Sequence, residues 1–271
     1  MGISLLGLLG LLSLAACGGT ASGRKVSAPA SGSAGAPAGT PAGTSTGAPA
    51  DKPVDTPASA QASAPAAAAA PILHAGDFVL TQGPETAGFI LDTSPDKQAN
   101  PQIAESKIAS CLGVPLADVQ DHATDTVDGP FLSSTDGLTT VGSQAEIAPA
   151  ADVTRDAAIL TRAQAPKCFG QLFFQSLQEG MAASGAHATL NSTRSLTPPT
   201  GATGAIRMSV TVTANSKRVP ITVDMIFIMS GRVESSLIVI QVNGLPDPTR
   251  EQNLTRQVAG KVARQSGLTA A

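Results

Sequence analysis

The chain has 271 residues, with 17 Lys and Arg against 20 Asp and Glu, a formal net charge of −3, and neither Trp nor Tyr. That balance carries no electrostatic footprint for non-specific nucleic-acid binding. The cysteines stand at positions 17, 111 and 168 with no second Cys or His at metal-ligand spacing, which argues against a zinc site.

Residues Met1 to Ala16 are uncharged and mostly Leu, Gly and Ala. The run falls short of the roughly 20 apolar residues that a membrane-spanning helix needs, and fits the apolar part of a secretory signal ahead of a small-residue cleavage site. Its last four residues, Leu14-Ala15-Ala16-Cys17, resemble the bacterial lipobox. The resemblance implies that residues 1–17 are a lipoprotein signal and that Cys17 is acylated, with membrane lipid as its partner. Two acyl chains there would give a stable anchor on the extracytoplasmic face of the cell membrane.

From Gly18 to about Pro71 the chain is dominated by Ala, Gly, Pro, Ser and Thr. Too few large apolar side chains are present to offset the entropy of ordering, so the sequence predicts a disordered stalk over 18–71. A flexible coil of that length has an r.m.s. reach of about 40 Å, enough to lift a domain clear of the headgroups. Gly43-Thr44-Ser45-Thr46-Gly47 matches the nucleophile-elbow pattern, but that motif needs a strand-to-helix turn and here sits in low-complexity sequence.

Residues 72–271 are long enough for one substantial core. Within them, 72–160 carry 13 acidic and 3 basic residues, whereas 161–271 carry 5 acidic and 11 basic. In a single domain these halves would face each other. With Cys17 lipidated, Cys111 and Cys168 are left in an exported chain, where cysteines normally pair. The bond would be worth about 4 kcal/mol in the chain-entropy model and would staple the two halves together.

Gln102 to Leu112 reads as a helix, with apolar positions about four apart. Ser94-Pro95-Asp96-Lys97 matches S-x-x-K without the companion motifs that would give it meaning. Asp118, Asp121, His122, Asp125 and Asp128 follow at spacings that would line one face of a helix. Such a face could offer oxygens and an imidazole to a cation, but the EF-hand pattern is absent and a solvated acidic face is the simpler reading. His74 and His187 have no partner in sequence. No phosphate-binding glycine loop appears, and nothing calls for a cofactor.

Thr139 to Ile147 is a predicted strand, and Ala150–Ala163 and Pro166–Ala183 are predicted helices. From there the period changes to two. Ile206, Met208, Val210 and Val212 alternate with polar residues, then Val219–Met229 and Val233–Val242 follow after short turns, as in an antiparallel meander. The last two strands are apolar on both faces, the mark of central strands covered on each side. Asp247-Pro248 opens a closing helix with Leu254, Val258 and Val262 as its buried stripe. Helices, a meander and a covering helix make an α+β fold.

CLGVPLADV, KCFGQLFFQSL and VDMIFIMSGRVESSLIVIQVNGLPDPT together resemble a family of actinobacterial secreted lipoproteins. They are also similar to the extracellular sensor domains of serine/threonine kinases of the PknH type, and to PsbP-like lipoproteins. The resemblance implies a disulfide from the first helix to a later one and no known reaction. The expectation is a non-enzymatic ligand-binding or sensing domain tethered outside the membrane. The alternative is a structural or assembly partner in the cell envelope, acting by protein contact. Ile226, Ile228, Ile238 and Ile240 are the candidates for a ligand or partner face, opposite Val223, Met225, Leu237 and Val239.

Overall fold

The computed structural model describes residues 72–92, 104–181 and 185–266, which pack as one unit. Cys17, the Gly43–Gly47 motif and Ser94–Lys97 lie outside the described residues, as does the whole of 18–71. Among the described residues the strands are β1 (Phe89–Leu91), β2 (Asp125–Asp128), β3 (Leu132–Ser134), β4 (Thr139–Ile147), β5 (His187–Ser195), β6 (Gly204–Ala214), β7 (Lys217–Ser230) and β8 (Val233–Val242). The helices are α1 (Glu105–Leu112), α2 (Ala150–Leu160), α3 (Ala165–Met181) and α4 (Pro248–Ser266).

Every strand pair is antiparallel, in the order β1-β3-β4-β8-β7-β6-β5, with β2 and β3 sharing one edge of β4. The protein is therefore α+β, a meander sheet with helices on both sides. Two-residue turns set the register of its centre. Asn215 and Ser216 both take positive φ between β6 and β7, as a tight hairpin that matches strand twist requires. Gly231-Arg232 joins β7 to β8 and places Ser230 opposite Val233.

Alternation in the strands sorts the core into two layers. On one face Met208, Val210, Val223, Met225 and Ile240 meet Ile108 and Leu112 of α1 and Phe169, Leu172 and Phe173 of α3. On the other, Val141, Ile226, Ile228, Leu237 and Val239 meet Leu254, Val258 and Val262 of α4. Gly170 lets α3 lie close on β5, because a Cβ there would come within 2.2 Å of Thr193 Cγ2.

The α4 helix starts as its sequence dictates. Asp247 caps it, its carboxylate accepting the Thr249 N–H at 2.9 Å and its carbonyl the Glu251 N–H at 3.0 Å. Residues 73–81 are held between α4 and the sheet. Lys261 Nζ donates to the Val79 carbonyl at 2.6 Å, Gln257 brackets the Thr81 backbone, and Ser235 Oγ donates to the Phe78 carbonyl.

Two expectations change. Residues 118–128 are not a helix: a short 3-10 turn ends at Asp118, and the chain then runs extended into β2. The second predicted helix stops at Leu160, where Thr161 Oγ1 turns back to the Ala158 carbonyl at 2.7 Å.

Candidate functional site

Cys111 and Cys168 are bonded, with Cα atoms 5.7 Å apart, and tie α1 to α3. The two sulfurs have unequal surroundings. Cys168 is 3% exposed among the α3 core residues, whereas Cys111 lies on the exposed side of α1. Beside Cys111 an open groove runs between the helices, lined by Ser106, Lys107, Ser110, Gln171, Leu172 and Gln175.

The four isoleucines do not form one face. Ser230 pairs with Val233, so each even-numbered residue of β7 stands opposite an odd-numbered residue of β8. Ile226 pairs with Leu237 and Ile228 with Ser235, on the α4 side. Ile238 pairs with Met225 and Ile240 with Val223, on the α1–α3 side. Both pairs are packed into core, Ile226 at 1% and Ile228 at 2% exposure.

The acidic run is dispersed by its extended backbone. Asp125 accepts the Ala75 N–H at 2.8 Å, Asp121 accepts the Ala123 N–H at 2.7 Å, and the Asp118 carbonyl accepts Arg155 Nε at 2.8 Å. His122 Nδ1 meets Asp152 at 2.9 Å, and Asp152 also holds Arg155 Nη1 at 2.8 Å. Among the described residues no three His, Cys, Asp or Glu side chains are arranged to hold a metal ion. His74 and His187 are exposed.

Two clusters of buried carboxyls escaped the sequence reading. Glu146 of β4 stands directly opposite Glu234 of β8, and Asp156 of α2 bonds Glu234 from above. Burial pushes Glu234 up to about 8, helped by the negative charge of Asp156. It pushes Glu146 up to about 7, with Asp121, Asp156 and Asp128 adding to it. Asp156 is raised by burial as well.

On the opposite face Arg207 donates from Nε at 2.6 Å and from Nη2 to the two oxygens of the fully buried Asp224. Glu251 of α4 bonds the same carboxylate; burial, that hydrogen bond and the Asp224 charge push it up to about 8. A protonated Glu251 donates to Asp224 and so avoids placing a second negative charge beside it. Glu234 and Glu251, each pushed up to about 8 inside closed packing, make these clusters structural elements sensitive to pH. The signal for them was parity: Asp224 shares its face with Ile226 and Ile228, and Glu234 with Ile238 and Ile240.

No protein-family model and no curated protein matches the chain. Among solved structures, the Saccharomyces cerevisiae Ran-binding protein Mog1p overlaps 67% of this chain and 89% of its own, at 12% identity and a TM-score of 0.25. A single-residue mutant of Mog1 overlaps 66% of this chain and 85% of its own, at 12% identity and a TM-score of 0.24. A likeness this slight transfers no function.

Proposed function

We propose that the protein is a lipid-anchored extracytoplasmic lipoprotein whose domain recognises a ligand or partner and catalyses no reaction. Cysteine usage carries the reading. The two cysteines of the folded part are bonded to each other, as suits an oxidising compartment. The third closes Leu14-Ala15-Ala16-Cys17, a lipobox-like end to an apolar leader.

Within that reading, docking of an envelope protein is the form that packing favours. Both faces of β7 and β8 are taken up by core, which leaves recognition to the outer surface. Ile90 is 56% and Leu245 66% exposed there.

The test is Cys17→Ala in the full-length protein, followed by membrane fractionation and N-terminal mass. The variant is expected to leave the membrane fraction and to lack the acyl mass. A variant that stays in the membrane with an unchanged N-terminal mass overturns the proposal.

A further inference from the structure

The unequal burial of the two sulfurs has chemical consequences. Thiol–disulfide exchange depends on which sulfur an incoming thiolate can reach and on how well the other leaves. Cys111 is exposed and borders the groove between α1 and α3, and Cys168 does not line it. Lys107, one turn before Cys111, lines the same groove and presents a positive charge to an anionic thiol.

Cys168 is the inaccessible sulfur of the pair, 3% exposed within the core. It lies in the opening turn of the 17-residue helix α3, its N–H bonded to the Gln164 carbonyl at 3.0 Å. The positive end of the helix favours a thiolate at Cys168 and its apolar burial opposes one, so the direction of exchange rests on access to Cys111. Opening the bond would not release α1. Ile108 and Leu112 are fully buried, and the Leu112 carbonyl accepts Gln164 Nε2 at 2.6 Å.

We propose that Cys111–Cys168 is a directional thiol-exchange site, entered from the groove at Cys111 by an external thiol reductant. The reductant's thiolate forms a new S–S bond to Cys111 Sγ. The Cys111–Cys168 bond breaks, its electron pair goes to Cys168 Sγ, and that thiolate takes a proton from water. A second thiolate of the reductant attacks its own sulfur in the mixed disulfide and frees Cys111 as a thiol. Two reductant thiols are oxidised for one protein disulfide reduced.

The test treats the full-length protein with reduced glutathione without denaturant, quenches with N-ethylmaleimide and digests with trypsin. Cleavage after Lys107, Arg155 and Lys167 puts Cys111 and Cys168 on separate peptides, and Cys17 on a third. The expected result is glutathione on the peptide that starts at Ile108 and maleimide on the peptide that starts at Cys168. Circular dichroism during the reaction should stay native. Glutathione mainly on Cys168, or no adduct until denaturant is added, overturns the proposal. In Lys107→Gln the initial rate with glutathione at low salt should fall about threefold, while the rate with uncharged 2-mercaptoethanol holds. An unchanged glutathione rate would show that entry is not over the groove.

Discussion

Replacing Glu234 by Gln should remove the pH dependence of stability at one site. Glu234 is 7% exposed and its carboxyl is pushed up to about 8, by burial first and then by Asp156. In the unfolded chain it returns to the ordinary value of 4.5. Between these values the folded protein keeps a proton that the unfolded chain gives up, so each added pH unit favours unfolding by about 1.4 kcal/mol. The stabilisation is whole below 4.5 and lost as pH rises through the folded value. Gln has the same shape, never ionises and can still donate to Asp156. The gap between Glu234→Gln and wild type should therefore widen in favour of the variant by on the order of 4 kcal/mol from pH 5 to pH 8. For a domain of this size that corresponds to about 10 °C in melting temperature. Urea unfolding followed by circular dichroism at both pH values measures it. Glu146 and Glu251, raised to about 7 and about 8, tilt the wild type in the same direction, so it should itself be less stable at pH 8 than at pH 5. Asp136 is lowered, by the Ser134 hydroxyl first and then the Leu138 N–H, and acts only below that window. Parallel profiles for variant and wild type, or a wild type more stable at pH 8, would refute the reasoning.

Two further predictions concern backbone and close packing. Ser216 is exposed with φ of 64°, so Ser216→Gly should stabilise by about 0.5–1 kcal/mol, read as a rise in denaturation midpoint at constant slope. Gly170→Ala should cost about 1–3 kcal/mol by overpacking; since the added methyl meets Thr193 Cγ2, Gly170→Ala with Thr193→Ser should recover most of it in a double-mutant cycle.

Strongly periodic segments were legible. Thr139–Ile147 and Val233–Val242 have the bounds of β4 and β8, and Leu254, Val258 and Val262 are buried as the closing helix required. Strands β1, β2 and β3 have three or four residues, too few to show a period. Edge strand β5 was missed for a different reason. Along HATLNSTRS only Ala188 and Leu190 keep the alternation before the register shifts between Leu190 and Ser192. The acidic run misled because spacings of three and four are neutral about backbone shape when the residues are polar. Its path follows from bonds made far away in sequence, Asp125 to Ala75 and Arg155 to Asp118.

The isoleucine face failed through arithmetic that the sequence already contained. A two-residue turn at Gly231-Arg232 makes every paired sum across β7 and β8 odd, so even-numbered residues of the two strands lie on opposite faces. Applied consistently, the same rule separates Asp224 from Glu234, sends each to an apolar face, and requires a partner for both. Arg207 and Glu251 meet Asp224 on the α4 side; Asp156 meets Glu234 on the α2 side. In the second cluster the cation is held less closely, since Arg155 Nε stands 3.9 Å from Asp156 and is bonded to the Asp118 carbonyl. Three carboxyls gathered there must share protons to stay buried, while Arg207 neutralises Asp224 directly. Glu234 is for that reason the position where replacing the ionisable carboxyl by an amide should strengthen the fold as pH rises, and Asp224, whose partner is a cation, is not.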